Sequence, residues 1–321
     1  MRKRIHEILV TGGAGFIGSA FVRQAVCAGY KVAVADKLTY AGDKNRICCV
    51  KNKIKFYRAD ICNASSIASI IKKEKINTII NFAAETHVDR SIKDAEPFLK
   101  SNIIGTQVLL EAIKKFGITK FIHISTDEVY GDIEKGSFSE SSPLKPNSPY
   151  AASKAAADML ISSYMRTYLI PAIIIRPSNN YGAWQYPEKL LPLSILKLLT
   201  NKKIPIYAKG ANIREWLYVE DCASAITAVL EKGKQNQIYN LGSGVELENI
   251  EVIKILLKLM RRSMESVSFV KDRPGHDFRY KLDSSKIIRD TGWKPGVKFS
   301  EGLSYTVNWY LNNRKWLFNK Q

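Results

Sequence analysis

At 321 residues, 45% of them apolar, the chain can build a sizeable core as one large α/β domain or as two unequal ones. Its formal charge of +19 is spread over scattered lysines such as Lys51, Lys53, Lys55 and Lys72, Lys73, Lys75, with no dense block interleaved with aromatics; this excludes a nucleic-acid surface and leaves a solvated basic exterior able to attract an anionic nucleotide. No run reaches the roughly 18 apolar residues of a membrane span, and the five cysteines have neither Cys-x-x-Cys spacing nor an even count, so no membrane contact, metal site or disulfide framework is expected.

The basic start, Met1 to Arg4, leads into a strand rather than a secretory apolar segment, and an untargeted cytoplasmic protein is expected. Short apolar runs follow at Ile8 to Val10, Val32 to Ala35, Ile54 to Tyr57, Thr78 to Phe82, Phe121 to Ile124 and Ala172 to Ile175. Helix-like stretches separate them, so the pattern predicts repeated βαβ units and a doubly wound α/β (Rossmann) fold with a parallel sheet covered on both faces. After Arg176 the pattern loosens: Pro177, Pro187, Pro192 and Pro205 punctuate shorter elements before a helix over Val219 to Lys232 and a strand over Gln237 to Leu241. The expected division is a dinucleotide-binding Rossmann domain over 1–176 and a smaller α/β lobe mainly over 177–321, with elements near 219–242 returning to the main sheet.

Gly12, Gly15 and Gly18 follow the first strand and open the helix-like segment from Phe16. Glycines there permit a tight turn and close approach of backbone N–H groups to a pyrophosphate, which the helix N-terminus also favours. Asp36 ends the second strand, where a carboxylate accepts from ribose hydroxyls and repels a 2′-phosphate, so NAD is expected over NADP; Lys37 beside it pulls the other way. Asp60, after the third strand, is similarly placed for the adenine end.

Two adjacent carboxylates, Asp127 and Glu128, stand where the Phe121 to Ile124 strand ends, behind Thr126. Tyr150 and Lys154 follow one helical turn apart, so both point the same way. An ammonium lowers a phenol's pKa and lets the phenolate take a proton from an alcohol, while two carboxyls in a partly dry cleft can divide the roles of acid and base.

These residues closely resemble the extended short-chain dehydrogenase/reductase superfamily, in which Thr11 to Gly18 and Tyr-x-x-x-Lys are shared features. Thr126-Asp127-Glu128 is similar to the triplet of its dTDP-glucose 4,6-dehydratase family. The likeness extends over Asp36 to Gly42, Ala83 to Ser91, Asn179 to Gly182, Pro187 to Leu190, Arg214 to Asp221 and Asp272 to Tyr280. It implies a hydro-lyase that converts dTDP-glucose to the 4-keto-6-deoxy sugar nucleotide, with tightly bound NAD recycled in each turnover. Tyr150, supported by Lys154 and Thr126, would deprotonate the C4 hydroxyl; Glu128 would remove the C5 proton, and Asp127 would protonate the departing C6 hydroxyl.

The resemblance further implies cofactor contacts from Phe16, Ile17, Lys37, Leu38, Thr39, Ile61, Phe82, Ala83, Ala84 and Ser101, beside Gly12, Gly15, Gly18, Asp36, Asp60, Tyr150 and Lys154. Substrate contacts would come from Thr86, Thr126 and Leu190, from Asn180 and Lys189 at the sugar diphosphate, from Arg214 and Arg273 on phosphate oxygens, and from Asn249 and His276 near the nucleoside. Helices near Phe98 to Lys115 and Pro149 to Tyr168 carry apolar residues beyond what one sheet face covers, and in the family such helices pair into a four-helix homodimer interface. A UDP-glucose 4,6-dehydratase, a UDP-sugar 4-epimerase or a UDP-glucuronate decarboxylase are the other readings; the last two have no need of the Asp-Glu pair, and Gly275-His276-Asp277 resembles the dTDP type. Departures from the family pattern are Ser101 for threonine, Ala183 for proline, Cys222 for histidine and a short Glu128 to Tyr150 segment.

Overall fold

The computed structural model describes residues 7–320. The expectation for Met1 to Arg4 lies outside the described residues. The first half alternates strand and helix in chain order: β1 (Glu7–Thr11), α1 (Phe16–Cys27), β2 (Lys31–Asp36), β3 (Ile54–Arg58), α2 (Ala64–Glu74), β4 (Thr78–Asn81) and α3 (Val88–Lys93). A short helix, α4 (Glu96–Phe98), continues through a π-helical stretch, Leu99–Ile104, into α5 (Gly105–Phe116), followed by β5 (Lys120–Ile124), α6 (Pro149–Tyr168) and β6 (Ala172–Pro177).

Local chemistry sets these boundaries. Asn63 caps α2 by accepting from the Ser66 N–H at 3.0 Å, and Ser148 caps α6 by accepting from the Ala151 N–H at 3.1 Å, with Pro149 as its first residue. Helix α5 stops at Gly117, whose φ of +63° continues no right-handed helix.

The second half adds β7 (Asn179–Tyr181), α7 (Leu190–Leu199), β8 (Ile204–Tyr207), β9 (Ile213–Tyr218), α8 (Val219–Lys232), β10 (Gln237–Leu241), β11 (Glu246–Glu248), α9 (Asn249–Leu259), β12 (Val267–Val270), α10 (Ser285–Thr291), α11 (Phe299–Asn312) and α12 (Arg314–Phe318). Seven strands form one parallel sheet in the order β10-β6-β5-β4-β1-β2-β3. The fold is thus the doubly wound α/β class that the strand spacing predicts, with Gln237–Leu241 paired in parallel to β6 as the seventh strand.

Both faces of the sheet are covered, which is why its strands read as continuous apolar runs rather than alternating ones. Ile8, Val10, Val34, Ile122 and Ile173 pack with Phe21 and Ala25 of α1 and with Ile226 and Val229 of α8 on one face. Leu9, Ala33, Ile79, Phe121 and Ile174 pack with Ile67, Leu109 and Ile161 of α2, α5 and α6 on the other. A separate core of Tyr181, Leu191, Trp216, Leu256, Leu303 and Tyr310 holds the remaining elements around the small sheets β11-β9-β7 and β12-β8. β9 runs directly into α8, so the chain passes from this second core back to the main sheet at Tyr218 and Val219.

Phe21 is wholly buried and its ring lies 5.6 Å from Phe82, joining α1 to the loop after β4. Phe21→Ala is expected to lower unfolding free energy by about 3–5 kcal/mol, read from the midpoint of a urea transition.

Candidate active site

β1 ends at Thr11 and the chain turns at Gly12 with a φ of +69°. A Cβ at Gly12 would lie 2.5 Å from the Ala83 nitrogen, and one at Gly18 would lie 2.4 Å from the Gly12 carbonyl oxygen. Only glycine allows β1, the α1 turn and the loop after β4 to close together this tightly. Gly15 begins α1 without any side-chain cap, leaving the first N–H groups of the helix for a ligand.

Asp36, at the end of β2, is buried beside that turn. Its two oxygens accept from the Ala14 N–H at 2.9 Å and the Leu38 N–H at 2.7 Å. Burial raises its pKa, against the pull of those two amides and of Arg46. Lys37 is drawn away from Asp36 into an ion pair with Asp60 at 2.8 Å, and Asp60 also accepts from the Cys62 N–H at 2.9 Å. The lysine that seemed to offset Asp36 is therefore spent on the neighbouring carboxylate.

At the other end of the crevice, β5 runs out into Ser125, Thr126 and a single 3₁₀ turn, Asp127–Tyr130. The Thr126 hydroxyl donates to Asp127 Oδ1 at 3.1 Å and accepts from the Glu128 N–H at 3.3 Å. Asp127 is buried, and its Oδ2 has no partner. Burial above all, and then the adjacent Glu128, hold its pKa well above the ordinary range for a carboxyl. Burial also raises Glu128, but Lys189, Arg273 and Arg214 oppose it with positive charge.

Tyr150 and Lys154 lie in the first turns of α6. The Tyr150 N–H donates to Ser91 Oγ at 3.1 Å, and its ring meets Phe98 edge-on at 6.3 Å. Burial and then Glu128 raise the phenol's pKa, while Thr126 pulls it the other way. Lys154 Nζ donates to the Ile124 carbonyl at 2.6 Å and lies 3.2 Å from His123 Nε2. Burial brings the Lys154 pKa down to about 8, with Asp158 pulling upward.

One continuous cleft joins these parts. Its larger cavity is lined by Gly12, Gly15, Phe16, Ile17, Gly18, Phe82, Ala84, Thr86, Thr126, Asp127, Glu128, Tyr150, Lys154, Asn180 and Lys189. A smaller cavity, lined by Asp36, Lys37, Thr39, Asp60, Ile61, Ala83 and Ser101, shares Gly12, Gly15, Phe82 and Ala84 with it. Two cavities share the glycine turn, one reaching the carboxyls of Asp36 and Asp60 and the other those of Asp127 and Glu128 beside Tyr150, an arrangement with room for a dinucleotide plus a second ligand.

Leu38, Leu190, Arg214, Asn249, Arg273 and His276 line neither cavity. Arg214 spends its guanidinium on the carbonyls of Ile213, Asp277 and Phe278 and lies over the Tyr280 ring. Arg273 pairs with Asp89 at 3.0 Å, and His276 Nδ1 lies 2.6 Å from Asp272. Asn249 opens α9, its N–H donating to the Asn212 carbonyl. Leu190 begins α7, and the Leu38 N–H is held by Asp36. Of the two family arginines, both act on Glu128 through their charge rather than by contact.

The cleft also contains residues that the sequence did not single out. Arg46 is 1% exposed, donates to the Ala14, Ala41 and Trp184 carbonyls, and lines the larger cavity. Glu188 lines it too, paired with Arg90 at 3.3 Å and accepting from the Tyr40 hydroxyl at 3.0 Å. Behind the cleft, Asn102, within the π-helical stretch, binds both backbone groups of Glu85 and donates to Ser153 Oγ at 2.8 Å, tying the loop after β4 to α6. Glu188 falls within the Pro187 to Leu190 stretch of the family likeness; Arg46 has no signal in the sequence, being one basic residue among many.

An ionised Asp127 with an orphaned oxygen costs folding free energy. Its raised pKa means that the folded state keeps a proton the unfolded state releases, so the cost appears as pH rises above the unfolded pKa. Asp127→Asn is expected to stabilise the fold by about 1–2 kcal/mol near neutrality, and by more at about pH 8 than at about pH 4. Thermal unfolding at the two pH values reads this; equal shifts would contradict it.

The GDP-mannose 4,6 dehydratase family model matches residues 9–306. The chain is 45% identical to a dTDP-glucose 4,6-dehydratase of Streptomyces niveus, over 97% of this chain and 94% of that protein. It is 44% identical to dTDP-glucose 4,6-dehydratase 1 of Escherichia coli strain K12, over 98% and 95%. The crystal structure of the Streptomyces venezuelae dTDP-glucose 4,6-dehydratase, described with NAD bound, superposes with a TM-score of 0.96 at 46% identity, covering 98% of this chain and 99% of that one. A Thermotoga maritima UDP-glucose 4-epimerase superposes at 0.90 with 30% identity, covering 96% and 99%. The chain belongs to the nucleotide-sugar 4,6-dehydratase family, within the extended short-chain dehydrogenases/reductases.

Proposed function

We propose that this chain is an NAD-dependent dTDP-glucose 4,6-dehydratase, a hydro-lyase that forms dTDP-4-keto-6-deoxyglucose. The carrying observation is that Thr126, Asp127, Glu128, Tyr150 and Lys154 line one cavity with the glycine turn. Likeness of backbone does not separate dehydratase from epimerase, since both superpose closely. An acid and a base beside the oxidising dyad do separate them, because only elimination of water needs a proton donor and a proton acceptor in addition to the tyrosine. The relatives at 44% and 45% identity are dTDP-glucose enzymes, which supports that nucleotide over UDP.

The cradle fits NAD: glycine at positions 12 and 18 leaves no room for a Cβ, and Asp36 stands where a 2′-phosphate would be repelled. When bound, the nicotinamide accepts hydride from the sugar C4 and later returns it to C6. Thr126, which lines the same cavity and pulls the phenol's pKa down, orients Tyr150 as it takes the C4 hydroxyl proton. Glu128 lies among cations that favour its ionised form, which suits a base for the C5 proton. Asp127 keeps its proton through burial, which suits the acid that protonates the departing C6 hydroxyl. Lys189, whose Nζ donates to the Thr86 carbonyl at 3.0 Å, and Asn180, whose Oδ1 is buried without a partner, face the same cavity as diphosphate contacts. Arg214, Arg273, Asn249 and His276 belong to this reading as an outer tier around the substrate, with Arg273 and His276 held by Asp89 and Asp272.

The exposed apolar residues Leu99, Ile104, Met159, Tyr168 and Leu169 lie along the π-helical stretch and α6, with Met159 65% and Leu169 79% exposed. This supports a homodimer in which these helices of two copies form a four-helix bundle. No helix among the described residues is long and apolar enough to cross a membrane, in keeping with work in the cytoplasm on a charged nucleotide sugar.

Incubation with dTDP-glucose is expected to give a product lighter by one water, with a 4-keto chromophore in alkali; an unchanged mass sinks the assignment. Asp127→Asn should slow elimination about 10²-fold or more while C4 oxidation, followed by nicotinamide absorbance, slows far less. Equal slowing would make Asp127 a positioning group. Because the ammonium of Lys154 is needed and its pKa is about 8, turnover is expected to fall as pH rises through that value. A rate that climbs steadily past it would contradict this role. Sedimentation at micromolar concentration is expected to give twice the chain mass.

A further inference from the structure

His123 sits within β5, 1% exposed, between Asn81 at the end of β4 and Lys154. Its Nδ1 lies 3.1 Å from Asn81 Nδ2 and its Nε2 lies 3.2 Å from Lys154 Nζ. The Asn81 side-chain oxygen accepts from the Thr11 hydroxyl at 2.6 Å and from the Ala83 N–H at 3.2 Å. A backbone N–H can only donate, so the amide oxygen must face Ala83 and the amide NH₂ must face the ring. Nδ1 is then the acceptor, and a neutral imidazole carries its one proton on Nε2. That N–H points at Lys154. An ammonium has three donors and no acceptor, and one donor already goes to the Ile124 carbonyl. Toward His123 it therefore meets another donor, whereas a neutral amine would present a lone pair.

We propose that His123 is a positioning residue that sets the proton content of Lys154: Asn81 fixes the ring proton on Nε2, and that N–H favours the amine over the ammonium. The other titratable groups around the lysine are Asp158, one turn further along α6, Tyr150, one turn before it, and Asp127 and Glu128 in the shared cavity. Asp158 favours the ammonium and is itself anchored by Arg176 at 2.8 Å. Lys154 is thus balanced between a carboxylate that holds its proton and a ring that releases it. Such balance lets the lysine change charge within the catalytic cycle. The inference rests on the reading of Tyr150 and Lys154 as the oxidising dyad.

Histidine-selective ¹⁵N labelling reads the ring directly, since the chain has four histidines and His123→Phe identifies the signal. A neutral ring protonated on Nε2 is expected from about pH 6 to about pH 9. A proton on Nδ1, or a ring that gains charge in that range, overturns the proposal, whatever the enzyme's substrate proves to be. A second measurement follows the alkaline limb of C4 oxidation in Asp127→Asn protein, where Asp127 cannot titrate. Adding Asn81→Asp should draw the ring proton to Nδ1 and offer Lys154 a lone pair. The limb is expected to move up by about half a pH unit or more, roughly a threefold change in proton affinity. In His123→Phe protein the same substitution should move it less; an equal movement would show that added charge, not the ring, acts on the lysine, and would overturn the proposal.

Discussion

Every functional residue in this protein depends on the reversal of strand order between β1 and β4. From β1 the chain winds outward through β2 to β3, then returns to β4 and winds the other way through β5 to β6. The loops leaving β1 and β4 therefore part company, and a crevice opens above the carboxyl ends of the strands. Its two lips are Gly12 and the Phe82 to Ala84 segment, which come so close that a single methyl group on Gly12 would strike Ala83. The same reversal puts Asp36 at one end of the crevice and the end of β5 at the other. A cofactor lying across it is held by one end and presented to chemistry at the other.

Dryness gives that chemistry its direction. Asp127, Glu128, Tyr150 and Lys154 all shift toward their neutral forms because burial penalises charge. Two adjacent carboxyls would behave alike if burial were the whole matter. They differ because Lys189 and Arg273 bear on Glu128 along with Arg214, whose charge reaches Asp127 too, while Asp127 has a buried oxygen without a partner. The two carboxyls are thus distinguished by the charges around them rather than by residue type.

The sheet was plain in the sequence because its strands are buried on both faces and so form unbroken apolar runs, as in Ala172 to Ile175. The glycine turn, Asp36 and the Thr126-Asp127-Glu128 end of β5 were readable for a related reason: each sits at a fixed offset from a strand end. The second core was less readable. Whether Arg214 reaches a phosphate or the carbonyls of Ile213, Asp277 and Phe278 is decided by loops far apart in the chain. Lys37 looked like a brake on Asp36 until Asp60, from the loop after β3, claimed it. Arg46 and His123 were unreadable for the opposite reason: as one of many basic residues and as one polar residue in an apolar strand, neither stands out until its neighbours are known.

Strand β10 covers the outer edge of β6, yet it lies some sixty residues further along, beyond β7, β8, β9 and α8. As the chain leaves the ribosome, β6, every residue of which ends up buried, must wait with an unpaired edge while the whole intervening stretch is made. A bare strand of three consecutive isoleucines is a template for pairing with another chain. Assembly of this protein in a crowded cell is therefore most exposed to aggregation during one interval, and the risk ends when residues 237–241 dock.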